Sequence, residues 1–122
     1  MIQNHDKTNP TVYKILKYVD ENISCRLAVS RIAEEFSYSV SYISHLFKKE
    51  TGVSLQSHVI SKKIEYAKLL LSDKNVTLSE VAAKCGYKSV PSFCKLFRKY
   101  TGFTPSQEKN SSIKYENKQK GA

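Results

Sequence analysis

Two pairs of adjacent cations, Lys48-Lys49 and Arg98-Lys99, stand fifty residues apart, each preceded by a phenylalanine and followed after one residue by Thr-Gly. A third pair is Lys62-Lys63. Ammonium and guanidinium groups donate charge-assisted hydrogen bonds, and their natural partners are anionic oxygens. Just upstream of the first two pairs lie Ser41, Ser44 and His45, and Ser92 and Lys95, a second set of hydrogen-bonding groups at helical spacing. This is the chemistry of holding a ligand rather than breaking a bond. His5 lies in a polar terminus, and His45 and His58 fall on different predicted helices; no carboxylate pair or nucleophile–base spacing accompanies them. Cys25, Cys85 and Cys94 lack paired metal-binding spacing and read as free thiols of a reducing compartment. No catalytic residue, metal or cofactor is expected, and the chain is not read as an enzyme.

The totals agree with a binding protein. The 122 residues suffice for one domain or two very small ones sharing an element. Lys plus Arg number 20 against 11 acids, a net charge of +9, which points to a polyanionic partner. Three prolines and four glycines suit a helical chain better than a sandwich or barrel. No apolar run approaches membrane-spanning length, so no membrane partner is expected and the location is read as cytoplasmic.

The elements that position these groups are organised about residues 53–72, VSLQSHVISKKIEYAKLLLS, where Leu55, Val59, Ile60, Ile64, Ala67, Leu70 and Leu71 recur at three-and-four spacing. A helix of that length is roughly 30 Å long, comparable with the ~34 Å turn of B-DNA. Its flanks are copies of one unit. Val29, Ile32, Ala33 and Phe36 are matched 49 residues later by Leu78, Val81, Ala82 and Cys85, and Leu46, Phe47, Gly52 and Ser54 are matched 50 residues later by Leu96, Phe97, Gly102 and Thr104. The second copy therefore has one extra turn residue. Before them, Val12, Ile15, Leu16 and Val19 predict a first helix from Pro10 to about Glu21 that closes the first core. The next begins after Arg26 without a good cap, since Ala28 stands where Ser or Thr is preferred.

Ser39 caps a helix running to about Thr51, with Ile43, Leu46 and Phe47 buried and Tyr42 at the margin. In the second copy, Thr77 and Glu80 form a capping box, Gly86 ends the helix, and Ser89-Val90-Pro91 opens the next, which buries Phe93, Leu96 and Phe97. Thr104, Pro105 and Gln107 start one last short helix. The fold class is all-α: a flexible N-terminal segment 1–10, a helix-turn-helix unit 11–52, the linker helix 53–72, a second unit 73–109, and a flexible basic tail 110–122. A helix-turn-helix can place its second helix in a major groove.

Ala82, Gly86-Tyr87, Phe93, Phe97-Arg98-Lys99, Gly102 and Thr104-Pro105-Ser106 closely resemble the signature of the AraC/XylS family of bacterial transcription regulators. The first unit and linker agree through Ala33, Phe47-Lys48-Lys49, Thr51-Gly52, Ser54, Lys63, Ala67 and Leu70-Leu71, so the resemblance covers about residues 12–109. It implies seven helices and sequence-specific binding to double-stranded DNA in adjacent major grooves, with transcription regulated by activation as the first expectation. It also implies base-reading positions at Ser41, Ser44 and His45 in the first unit and Pro91, Ser92 and Lys95 in the second. Backbone contacts fall to Ser39, Lys48, Lys49, Ser54, Lys62, Lys63, Arg98, Lys99 and Thr104. Three residues depart from the family: Ser37 stands in place of a glycine, Lys63 in place of an arginine, and Glu108 in place of an aromatic residue.

Lys95 can donate to guanine O6 and N7, whereas serines discriminate weakly, so backbone contact and DNA shape are expected to carry much of the binding. RNA polymerase, and a sensory or dimerisation domain of a longer parent, are the further partners the resemblance implies. The first nine residues read more as a linker than as a start, so the DNA-binding part of a larger protein is the first expectation and a small, complete regulator the alternative; the isolated chain reads as a monomer. The competing function is a basic helical protein-interaction module attracted to DNA only non-specifically.

Overall fold

Most of the helices begin where the sequence supplies an oxygen for their free amides. In the computed structural model, which describes residues 9–25 and 27–109, α1 (Pro10–Glu21) starts with the Asn9 side chain accepting from the Thr11 amide at 2.8 Å and with proline in its first turn. α2 (Val29–Glu35) starts at Ala28 with no side-chain cap, as its sequence predicts. α3 (Val40–Thr51) is capped by Ser39 and α4 (Leu55–Leu71) by Ser54, whose hydroxyl accepts from the Ser57 amide. α5 (Leu78–Lys84) carries the full capping box of Thr77 and Glu80, and the hydrogen bonds from Thr77 hold the Glu80 carboxyl below the usual range. α6 (Val90–Thr101) is capped by Ser89. The seventh helix, α7, opens at residues 105–109, where Thr104 and Gln107 form a second reciprocal box. Among the described residues there is no strand, and no helix is long and apolar enough to cross a membrane. The expected N-terminal segment falls almost wholly, and the basic tail entirely, outside the described residues.

Two compact units divide the chain, and the central helix belongs to both. The first takes residues up to Ile23 and Leu27–Ile60. Its core joins Val12, Ile15 and Val19 of α1, Leu27 just ahead of α2, Ile32 and Ala33 of α2, Ile43 and Phe47 of α3, and Leu55 and Val59 from the start of α4. The second takes the residues from Ser61 onward together with Ser24 and Cys25. There Ile64, Ala67 and Leu71 of α4 are buried, with Val81 and Ala82 of α5 and Cys85 at its C-cap, Phe93 and Phe97 of α6, and Pro105. Burying each large apolar side chain contributes roughly 1.5–3 kcal/mol, so the two phenylalanine-centred cores dominate their units. α4 is 17 residues long, or about 26 Å, shorter than the sequence suggested. Gly52 turns the chain at φ 85° and Ser54 serves as the cap, which keeps Val53 and Ser54 out of the helix.

Lys109 and Val76 explain why α7 is anchored despite Glu108 standing where the family has an aromatic residue. The Lys109 ammonium donates to the Val76 carbonyl in the loop before α5. Pro105, fully buried, supplies the apolar contact at the other end of that turn.

Candidate nucleic-acid interface

The turn that presents each outward helix is built the same way twice. In the first unit the Ser37 amide donates to the Glu34 carbonyl at 3.1 Å and the Tyr38 amide to the Ala33 carbonyl at 2.9 Å. In the second, Gly86 donates to Ala83 at 3.0 Å and Tyr87 to Ala82 at 2.9 Å. Both turns need a residue in the left-handed region: Gly86 at φ 80° does this freely, whereas Ser37 at φ 59° does it with a side chain. Ser39 and Ser89 then cap α3 and α6, accepting from the Tyr42 and Ser92 amides. Both helices end on left-handed glycines, Gly52 and Gly102, each followed by a loop pinned by a threonine. Thr51 Oγ1 donates to the Phe47 carbonyl at 2.8 Å, and Thr101 Oγ1 to the Phe97 carbonyl at 2.9 Å.

On this frame the exposed faces match residue for residue. Positions 41–50 and 91–100 carry the same sequence of buried, half-buried and exposed residues. Ser41 and His45 are exposed and Ser44 half-buried on α3, and Pro91, Ser92 and Lys95 are exposed on α6. Each set shares its helix with the exposed pair that ends it, Lys48-Lys49 or Arg98-Lys99, where a cation also complements the helix dipole. α6 contains no acidic residue, and α3 has only Glu50, in its last turn. The Ser92 hydroxyl is already engaged, accepting from Ser89 Oγ at 3.0 Å. The hydroxyls of Ser39, Ser54 and Thr104 are likewise committed to capping, so any further partner would meet the backbone amides beside them.

Lys63 does not belong to the outward basic set. Expected among the backbone-contacting lysines, it is 5% exposed, and its ammonium donates to the carbonyls of Cys25 at 2.5 Å and Cys85 at 2.6 Å. Burial lowers its pKa, an effect opposed by the two nearby cysteines, and the Tyr87 ring lies 5.8 Å from its ammonium. The charge kept from the family's arginine serves the interior of the second unit. It ties residue 25 to the end of α5, which is why Ser24 and Cys25 belong with that unit. Lys62 is half-exposed and lies 4.0 Å from Glu65, at the edge of an ion pair. Lys48, Lys49, Lys95, Arg98 and Lys99 remain exposed cations.

Tyr42 stands further out than its spacing predicts. Expected at the margin of the core, it is 51% exposed on the face that carries Ser41 and His45. The repeat carries the signal, since fifty residues on stands Ser92, an outward position of the second unit.

Paired helix-turn-helix units, each with a capped, basic, outward second helix, define a DNA-binding class of protein. A helix-turn-helix domain family model matches residues 32–111. The uncharacterized HTH-type transcriptional regulator YijO of Escherichia coli (strain K12) is 33% identical over 106 residues, covering 87% of this chain and 38% of that protein. This chain spans less than half the length of YijO and of two further curated relatives, 38%, 44% and 34%. The C-terminal domain of the two-component response regulator yesN from Fusobacterium nucleatum superposes with a TM-score of 0.78 at 29% identity, covering 83% of this chain and 99% of that one. The DNA-binding domain of AdpA, solved in complex with a target DNA, shares the fold with a TM-score of 0.75 at 21% identity, over 82% of this chain and 90% of that one. The chain belongs to the AraC-type helix-turn-helix family, a family of DNA-binding transcription regulators rather than enzymes.

Proposed function

We propose that the chain binds double-stranded DNA sequence-specifically, with α3 and α6 each entering a major groove, and that it regulates transcription as part of a longer regulator. One observation carries this reading: the residue-for-residue match in exposure between α3 and α6, each ending in an exposed basic pair. A shared core fixes which positions face outward, but not that both helices end there in a basic pair. The repeated cations fit two surfaces doing the same task. The relative named as a transcriptional regulator and the AdpA domain solved with its target DNA support the same assignment. Ser41, Ser44, His45, Pro91, Ser92 and Lys95 face the bases in this reading, and Lys48, Lys49, Arg98 and Lys99, with help from Lys62, hold phosphates. Activation through RNA polymerase, and control by a sensory or dimerisation segment, are the proposed setting; the share of YijO that the chain leaves uncovered gives room for such a segment.

Selection from a randomised duplex library at about 150 mM salt tests the proposal, because non-specific attraction is weakened there. Two short asymmetric elements about one helical turn apart are expected. Lys95→Ala should relax the element read by α6 at a cost of about 1–3 kcal/mol, as expected for one lost guanine contact. Salt-sensitive binding without any enriched motif would refute sequence-specific reading.

A further inference from the structure

The two turn tyrosines, equivalent in the repeat, face different neighbours. Tyr87 packs on Phe93 at 5.6 Å between ring centroids and approaches Lys63, inside the second unit. Its hydroxyl is buried with no hydrogen-bond partner. Tyr38 instead lies under Tyr42, with ring centroids 4.8 Å apart and planes tilted by 54°. Tyr38 is half-buried at the rim of the first core, and its amide is fixed to Ala33. One side of the Tyr42 ring is therefore propped from below while half of the residue stays open. Tyr42 is three residues before His45 and seven before Lys49, which puts all three on one side of α3. At the same register α6 has Ser92, whose hydroxyl is bound to its own cap.

We propose that Tyr42, held by Tyr38, is a specificity-determining residue of the first unit, its ring packing on the C5-methyl of a thymine. Among exposed groups on that face, Ser41 is small and equivocal in hydrogen bonding, and His45 reads polar edges. The Tyr42 ring supplies the apolar surface that a thymine methyl requires in the major groove. A tyrosine already packed against a neighbour loses little freedom on binding, which favours a discriminating contact over a fluctuating one. The two units then read by different chemistry, apolar through α3 and cationic through Lys95 on α6. This inference rests on α3 facing DNA, and the test separates the two ideas.

The test uses the full chain and its selected duplex. Wild type, Tyr42→Phe, Tyr42→Ala and Lys95→Ala are each put through library selection, with thermal melts confirming that this exposed site tolerates substitution. Wild type and Tyr42→Phe should select a thymine in the element that Lys95→Ala leaves intact, and Tyr42→Ala should lose that preference. Replacing this thymine by deoxyuridine removes only the methyl. It should weaken wild type about fourfold, the value of one buried methyl group, and leave Tyr42→Ala unchanged. Two elements with no thymine in the first, or a uridine substitution without effect on wild type, would overturn the role of Tyr42 while keeping α3 on DNA. A single element, abolished by Lys95→Ala, would instead remove α3 from the interface and overturn both.

Discussion

Lys63 shows how one side chain changes role when its surroundings are known. Replacing it by methionine relieves the cost of burying a cation but strands two carbonyl oxygens. The Cys25 residue is exposed and its carbonyl can rehydrate, whereas Cys85 is fully buried. The unsatisfied Cys85 carbonyl decides the balance, and Lys63→Met should lower stability by about 1–3 kcal/mol in urea denaturation. Its DNA affinity should keep the wild-type salt dependence. Alkaline pH probes the same cluster. Burial pushes the Cys85 thiol up to about 11 from an ordinary value of 9.0, against the pull of Lys63. The unfolded chain therefore releases this proton first, and stability falls as pH rises from about 9 to 11. One pH unit into that window the loss is about 1.4 kcal/mol. Tyr87, pushed up by burial to about 12, adds a second loss above its ordinary 10.0. Lys63 acts oppositely, because its lowered pKa makes stability rise with pH in the window below 10.5. Urea melts at pH 8 and 10 isolate the thiol by difference: over that interval Cys85→Ala should lose less stability than wild type, or gain more, by about 1.4 kcal/mol.

At the scale of elements, the turn between α2 and α3 carries the one non-glycine residue with positive φ among the described residues, Ser37. The equivalent turn between α5 and α6 has Gly86, and the backbone hydrogen bonds of the two turns agree within 0.1 Å (3.1 and 2.9 Å against 3.0 and 2.9 Å). The geometry is thus imposed by the packed helices on either side, and the serine adopts it against its own preference. Left-handed placement of an L-residue costs about 1–2 kcal/mol, while glycine adds back some chain entropy on unfolding. The strain outweighs the entropy, so Ser37→Gly should stabilise the first unit by about 0.5–1 kcal/mol, read as a raised midpoint in chemical denaturation. An unchanged or lowered midpoint would show that Ser37 pays no such strain. The helix starts need no such compromise: Ser39, Ser54, Thr77, Ser89 and Thr104 all cap as their residue types predict.

For the whole molecule, electrostatics sets the measurable. Removing Lys63 from the phosphate set leaves Lys48, Lys49, Arg98 and Lys99, with Lys62 partly engaged by Glu65. Four to five neutralised phosphates imply a slope of log affinity on log salt near −4, so raising salt from 50 to 200 mM should weaken binding on the order of 10²-fold. Fluorescence anisotropy on a labelled duplex measures this directly. A slope near zero would favour a protein partner over DNA. Lys48→Ala should reduce the slope by about one.

Periodicity, capping chemistry and the repeat were enough to determine seven helices, two related units, nearly every core residue and the outward faces of α3 and α6. These features are local: a spacing of three and four fixes which residues share a face, and a Ser or Thr three residues before a free amide fixes a helix start. The fate of Lys63 was not local. Its two carbonyl partners lie 38 and 22 residues away, and a long flexible side chain beside Lys62 reads as solvated until those partners are placed around it. Nor could spacing tell that Tyr38 would meet Tyr42 while Tyr87 met Phe93. Equivalent turns aim equivalent rings, but the neighbour that receives each ring is chosen by packing, and packing exists only in the tertiary structure.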